Sequence, residues 1–212
     1  ALAQTSAQLV GAASVEEIAT AIARQAVEGT GAAACAIVVA DEEGKLVFVG
    51  SYGLPSAWWQ APDGVLSFAD VPGGQTLLAG KPVVLPDAPA VYESNPVTRS
   101  FAAGMRSSGW QAQVYVPLSW RGHIFGRLSV YLPSAADRPS ETDLVFYTAL
   151  ADQAAVAVMN ARLAAQARQV TAALERNRLA RDLHACVPQA LFSMTMQART
   201  AQLSLAAAGL DA

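Results

Sequence analysis

The feature that most constrains the fold is a long C-terminal stretch that is almost free of helix-breaking residues. After Ser140 no glycine occurs before Gly209, and the only proline is Pro188. Ser140 follows a proline and has Asp143 three residues later, which is typical of a helix start. At 1.5 Å per residue, one helix over this stretch would be about 100 Å long, more than a domain of this size can cover. A periodic stretch of that length without internal caps predicts a coiled coil or a helical bundle.

The apolar residues of this stretch form a stripe that needs a partner to cover it. They are Leu144, Ala151, Ala154, Val158, Val170 and Leu174. We expect the stripe to pack against a second copy of the chain, which predicts a homodimer. Past Leu179 the apolar surface widens to two faces, a pattern that suits a four-helix bundle better than a two-stranded coil.

The residues before this stretch follow a mixed pattern of helices and strands. Residues 2–29 read as a first helix, and Ser14 with Glu17 has the pattern of a capping box. Arg121 and Gly122 have the composition of a hairpin turn between the last two strands. Because strands that follow each other in sequence can pair directly, the order predicts an antiparallel sheet and an α+β fold. The expected strands are 34–40, 45–52, 82–85, 111–120 and 124–132, and the shorter helices are 74–79 and 97–107.

Charge and cysteine content limit the possible functions. The 212 residues carry a net charge of −3, which argues against nucleic acid as a general partner. From residue 160 onward there are six arginines and three acids, so the negative charge lies in the front part. Cys35 and Cys186 make no disulfide framework, and we expect a cytoplasmic protein. No uninterrupted apolar run reaches the roughly 18–20 residues of a membrane span, so no membrane contact is expected within the chain.

Residues 175–184 read Glu-Arg-Asn-Arg-Leu-Ala-Arg-Asp-Leu-His. This segment resembles the H-box of the dimerisation and phosphoacceptor helix of sensor histidine kinases, in the branch paired with NarL/LuxR-type response regulators. That branch typically reads E-R-x-R-I/L-A-R-D/E-L-H-D-x-x-x-Q, and ten of the fifteen positions match, including His184 and Gln189. The resemblance implies that His184 accepts the γ-phosphoryl group of ATP and passes it to an aspartate of the regulator. A neutral imidazole is nucleophilic near cellular pH, which suits that chemistry.

Two residues depart from the pattern of the branch. The position after His184 holds an acid in the branch and Ala185 here. In the branch, that acid orients the imidazole and acts with the glutamine at the Gln189 position in dephosphorylating the regulator. By analogy with a catalytic histidine that loses its carboxylate, phosphorylation would drop by roughly 10⁴. Pro188 removes a helical hydrogen bond one turn after the site and is expected to kink the helix.

Residues 116–130 read Val-Pro-Leu-Ser-Trp-Arg-Gly-His-Ile-Phe-Gly-Arg-Leu-Ser-Val, which is similar to the last two strands of GAF domains. The resemblance implies a sensor module that binds a small molecule between its sheet and the irregular middle of the chain. An apolar pocket would suit a small organic molecule, although most of the candidates could equally be ordinary core. Cys35 reads as core, and the histidines and cysteines have no zinc spacing, so no metal or cofactor is expected in this chain. The candidate ligand-binding residues are Trp58, Trp59, Tyr92, Phe101, Met105 and Trp110.

These patterns predict three segments: a GAF-like sensor domain (1–159), a signalling coiled-coil helix (160–174) and a truncated phosphoacceptor dimerisation helix (175–212). The implied function is the sensor portion of a two-component histidine kinase. ATP would be bound by a catalytic domain that is missing here, so the chain alone should be inactive as a kinase. Two alternatives stay open: a ligand-binding module whose phosphoacceptor helix is inactive, or a scaffold whose GAF domain only dimerises.

Overall fold

A computed structural model describes residues 14–55, 66–134 and 138–207, and of residues 180–193, 201 and 205–207 it describes the backbone alone. The chain divides into two compact units, residues 1–161 and 162–212. The elements, in chain order, are α1 (Val15–Thr30), β1 (Ala34–Ala40), β2 (Leu46–Tyr52), α2 (Gly74–Leu78), β3 (Val83–Leu85), α3 (Ala88–Ser94), α4 (Arg99–Ser107), β4 (Ala112–Trp120), β5 (His123–Leu132) and α5 (Glu141–Ala207).

The five strands form one antiparallel sheet in the order β2-β1-β5-β4-β3. This confirms the predicted α+β class. β4 and β5 are a hairpin, in which Trp120 pairs with His123. Arg121 and Gly122 close it with φ angles of 51° and 83°, the left-handed pair that matches the twist of two adjacent strands. The predicted turn is therefore confirmed, and it fixes which side chains of β4 and β5 lie opposite one another.

One face of the sheet is covered by α1 and the first turns of α5. The predicted start of the first helix at residue 2 is wrong, because Ser14 is extended and caps α1; residues 2–13 lie outside the described residues. The Ser14 Oγ accepts the amide of Glu17 at 3.1 Å, and the Ser14 amide donates to the Glu17 carboxylate at 2.7 Å. Every second residue of the central strands faces this layer and is buried. The strand residues of this core are Cys35, Ile37, Val39, Ala112, Val114, Val116, Leu118, Leu128, Val130 and Leu132.

The opposite face is covered by α2, α3 and α4, so the central strands are buried on both sides. The sequence patterns did not predict α3. Asp87 begins it by accepting the amide of Ala90 at 3.2 Å, and Pro89 occupies the first turn, where proline is tolerated. This short helix matters because it carries Tyr92 towards the sheet.

The apolar stripe of α5 packs differently from the expectation. Leu144, Ala151, Ala154 and Val158 lie in the core formed with the sheet and α1, not against a second copy. A helical repeat shows that one side is buried but not what buries it. Further along, Val170 and Leu174 are exposed by 54% and 64%. The helix continues past Pro188, and a kink at that proline stays a prediction.

Part of α5 also differs from the expectation that no apolar stretch is long enough for a membrane. By length and composition alone, Glu141–Leu179 could cross a bilayer. A third of its most apolar window is buried within the protein, and the core helices of soluble proteins pass the same test. A single helix of this kind is weak evidence for a membrane span.

Gly50 in β2 provides a test of the packing between α1 and the sheet. A Cβ atom there would lie 2.6 Å from both the Ala19 Cβ and the Thr20 amide nitrogen. We expect Gly50→Ala to lower the free energy of unfolding in urea by about 1–3 kcal/mol, because α1 must shift. Ser51→Ala in the same strand is the control. An equal effect of both substitutions would contradict the close approach of α1.

Candidate ligand-binding site

Polar side chains of β4 and β5 lie on the face of the sheet that is covered by α2, α3 and α4. β4 and β5 are paired so that Gln113 lies opposite Tyr131, and Tyr115 opposite Ser129. Arg127 lies two residues before Ser129 in β5. Because side chains of a strand alternate between its two faces, Arg127 and Ser129 lie on the same face. All five are buried, and the exposed fraction of Arg127 is only 6%. A central sheet face thus carries a charged group in the interior.

A chain of hydroxyl groups crosses from α3 to the sheet. The hydroxyls of Tyr92 and Tyr115 are in hydrogen-bond contact, and the Tyr115 hydroxyl donates to Oε1 of Gln113 at 2.8 Å. Since each phenol has one proton, Tyr92 is the donor to Tyr115 in this arrangement. Burial is the main cause that raises the pKa of Tyr115 and of Tyr131. Tyr115 and Tyr131 are therefore neutral phenols at cellular pH.

Tyr92 is held in place by the turn that follows α3. The Thr98 hydroxyl, which is buried, donates to the Tyr92 carbonyl at 3.2 Å. Asn95 ties the same turn to the segment before α2 by donating from Nδ2 to the Asp70 carbonyl at 2.9 Å. The ring of Phe101 meets Tyr92 edge-on, with 6.3 Å between centroids. These contacts direct the Tyr92 hydroxyl towards β4.

Arg127 has aromatic neighbours but no acidic partner among the described residues. Its guanidinium carbon lies 4.1 Å from the centroid of the Tyr115 ring. Burial lowers the pKa of Arg127, but the oxygens of Tyr115, Tyr92 and Tyr131 outweigh it and the pKa is raised. The side chain is therefore charged. None of the three ion pairs found in the described part of the chain involves it.

Several buried polar atoms of this cluster have no hydrogen-bond partner among the residues that the structure describes. They are Nε2 of Gln113, Nε and Nη1 of Arg127 and Oγ of Ser129. A desolvated charge costs several kcal/mol even after relaxation, whereas a desolvated cation–π contact returns only about 2 kcal/mol. Native interiors rarely leave such groups unsatisfied without a functional reason. The cluster has the chemical features of a site that a ligand completes.

The residues singled out from the sequence lie around this cluster where the structure describes them. Tyr92, Met105 and Trp110 are buried in the same core layer, and Phe101 packs against it. The Trp110 and Tyr131 rings lie 4.4 Å apart between centroids. Trp58 and Trp59 lie outside the described residues.

The sequence analysis missed the five polar residues of β4 and β5. Their signal was the alternation of Gln113 and Tyr115, and of Arg127, Ser129 and Tyr131, with apolar neighbours. In an antiparallel sheet that alternation ordinarily marks a face towards water. Only the coverage by α2, α3 and α4 makes the same pattern an interior polar site.

The second candidate site lies on α5. Its backbone is helical through His184, Ala185 and Gln189, whose side chains lie outside the described residues. Nearby, Glu175 accepts from Nε and Nη2 of Arg178 at 3.0 and 2.8 Å. The roles of these residues therefore stay predictions.

Neither the cysteine nor the histidine of the front unit forms a second site. Burial raises the pKa of the Cys35 thiol, which keeps it a protonated core residue. His123 is exposed at the hairpin. In the part of the chain that the structure describes, no group of three or more histidine, cysteine or acidic side chains could hold a metal ion.

Comparison with known proteins now identifies the two units. A model of the GAF domain matches residues 12–159, so the chain belongs to the GAF-domain family. A histidine kinase model matches residues 175–210, which include His184. The chain thus combines a GAF domain with a C-terminal segment of the histidine kinase type.

Solved structures agree with the fold. A domain described as part of a two-component sensor histidine kinase from Sinorhizobium meliloti has a TM-score of 0.59 and 19% identity, covering 74% of this chain and 99% of that one. The GAF domain of a phosphoenolpyruvate-protein phosphotransferase from Coxiella burnetii has a TM-score of 0.59 and 21% identity, covering 78% and 94%. At these identities the likeness shows the fold alone. No curated protein sequence matches the chain.

Removing the charge of Arg127 tests whether the cluster is a site or a structural element. Arg127→Met keeps most of the side-chain volume and removes an uncompensated charge. We expect the free energy of unfolding to stay unchanged or rise by up to about 2 kcal/mol, measured in urea without carboxylates, phosphate or nitrate. Leu128→Ala, on the opposite face, should cost about 2–5 kcal/mol. A comparable loss in both variants would mean that Arg127 holds the fold together.

Proposed function

We propose that this chain is the sensing and phosphoacceptor portion of a cytoplasmic two-component histidine kinase. The GAF domain binds a small molecule at the buried polar cluster and thereby controls phosphorylation of His184. The phosphoryl group then passes to an aspartate of a NarL/LuxR-type response regulator. The observation that carries the proposal is the histidine kinase match over 175–210, which falls on the H-box-like segment around His184.

The proposed chemistry uses one ring nitrogen of His184. The neutral imidazole attacks the γ-phosphorus of ATP, a P–N bond forms, and the bond to the β-γ bridging oxygen breaks to release ADP. ATP is bound by the catalytic domain of the kinase, and the residues described above supply the phosphoacceptor. In the second step the phosphoryl group moves to a carboxylate oxygen of the regulator. The imidazole is regenerated as the P–N bond breaks.

Ala185 favours a second candidate function. Without a neighbouring carboxylate, the tautomer of His184 that attacks phosphorus is not selected by the adjacent residue. In that case the chain is a ligand-binding module that signals through α5 to a partner, with His184 silent. The two candidates differ in whether His184 can be phosphorylated at all.

The sheet offers a physical link between ligand and helix. Gln113 and Tyr115 of β4 belong to the polar cluster, whereas Val114 between them and Val116 after them pack in the core that α5 completes. A ligand on one face therefore acts on the strand whose other face supports α5. The ligand can shift α5 from one packing arrangement to another only to the extent that it binds one arrangement more tightly than the other.

The part of α5 in the second unit supports a dimer. Leu163, Val170 and Leu174 are exposed by 51%, 54% and 64%, at spacings of seven and four residues. These spacings match one seam of a two-stranded coiled coil. We propose that a second copy of the chain covers this seam.

Phosphorylation in trans tests the main proposal. The chain is mixed with ATP and the ATP-binding domain of its parent kinase, and acid-labile, base-stable phosphate is followed. We expect label that disappears in His184→Gln and whose initial rate rises in Ala185→Asp, by up to roughly 10⁴. Absence of label in both the natural chain and Ala185→Asp would refute the phosphoacceptor role and leave the binding module.

The dimer is tested by sedimentation equilibrium. Val170→Glu combined with Leu174→Glu places charges in the seam and should convert a dimer into monomers. Gln166→Glu with Gln169→Glu adds the same charge at exposed polar positions of the same helix and should leave the dimer intact. A natural chain that sediments as a monomer, or a seam variant that stays dimeric, would contradict the proposed seam.

A further inference from the structure

Within the part of the chain that the structure describes, three of the five N–H donors of the Arg127 guanidinium lack a partner, one on Nε and two on Nη1. The Ser129 hydroxyl beside it on β5 is also unpartnered, and so is Nε2 of Gln113 on β4. These three side chains are exposed by 6%, 0% and 1%. Donors that are both enclosed and unused, on adjacent strands and on one face, make a built site.

We propose that this cluster binds a small organic acid, whose carboxylate is held by the Arg127 guanidinium with the Ser129 hydroxyl beside it. The inference rests on the proposed function, because it names the chemical class of the ligand that the GAF domain senses. Because Oε1 of Gln113 already accepts from the Tyr115 hydroxyl, its Nε2 is the atom left to donate to the ligand.

Charge is the reason for choosing an acid. A buried water molecule or a neutral ligand could accept hydrogen bonds from Arg127, but neither would balance its positive charge. The neighbouring hydroxyls of Tyr115 and Tyr131 belong to neutral phenols, because burial raises the pKa of both. Only an anion supplies both the acceptor oxygens and the opposite charge, and carboxylate is the anion that guanidinium groups bind most readily in proteins, together with phosphate.

The surroundings favour an organic acid over an inorganic ion. The core layer around the cluster is aromatic and apolar, with Tyr92, Met105 and Trp110 buried and Phe101 packed against it. An apolar body attached to the carboxylate would replace water against these side chains. A ligand that is mostly apolar and is oriented by a few polar groups is the usual occupant of such a site.

Matched acid and amide pairs test the proposal on the whole chain. Thermal unfolding is followed with acetate, propionate and benzoate and with acetamide, propionamide and benzamide, at ionic strength held constant with NaCl. We expect a saturable rise in Tm of about 5 °C or more for at least one acid near 100 times its Kd. The corresponding amide should give no rise.

Two arginine variants locate the effect. Arg127→Met should abolish the response, and Arg127→Lys should retain part of it. Arg24→Met is the matched control, since Arg24 is exposed and also lies over a tyrosine ring, with its guanidinium carbon 5.4 Å from the centroid of Tyr52. That variant should respond like the natural chain.

Three results would overturn the proposal. They are equal stabilisation by acid and amide, a response that survives in Arg127→Met, and a response to phosphate, sulfate or nitrate with none to any carboxylate. A natural chain that no carboxylate stabilises beyond NaCl would overturn it as well. Binding is measured without ATP, so its failure leaves phosphorylation of His184 untouched, and failure of that phosphorylation leaves binding untouched.

Discussion

Strands β4 and β5 are buried on both faces, and the packing of the rest of the first unit depends on this constraint. On one face, alternate residues of β4 and β5 are aliphatic and pack under α1 and α5. On the other face, the intervening residues include Gln113, Arg127 and Ser129, which α3 and its neighbours shut away from water. An antiparallel sheet that was polar on one side would ordinarily leave that side solvated. Because α2, α3 and α4 cover this face, buried polar atoms are left without hydrogen-bond partners among the described residues.

For these unpartnered groups, stability and function favour different side chains. A methionine at position 127 would satisfy packing without a desolvation cost, yet the chain carries a guanidinium with most of its donors unused. Tyr115 offsets part of the cost through its ring. Natural proteins retain destabilising polar groups mainly where a ligand or partner needs them. The opposite face has no such group, which suits its role as the support for α5.

Local signals predicted much of the fold, because they depend on a few neighbouring residues. The capping pair Ser14 and Glu17 and the turn at Arg121 and Gly122 act within four residues, and both form as expected. The apolar stripe of α5, which includes Ala151, was wrongly expected to pack against a second copy of the chain, and it packs against the sheet and α1. Periodicity reveals which side of a helix is buried but not what covers that side. The polar cluster was missed because the burial of Arg127 depends on α3, which lies far from it in sequence and was itself not predicted.

None of the ion pairs of the described residues involves the Arg127 guanidinium, and we infer that a ligand supplies its anionic partner. The most direct measurement is the side-chain ¹⁵N NMR spectrum of the chain, with the Nε–H resonance of Arg127 assigned by its loss in Arg127→Met. With a carboxylate that stabilises the chain, the account predicts a downfield shift of that resonance and slower exchange of its proton with water, while Arg24 is unchanged. An Arg127 Nε–H resonance whose chemical shift and exchange rate stay unchanged while a carboxylate is bound would contradict an Arg127–carboxylate contact.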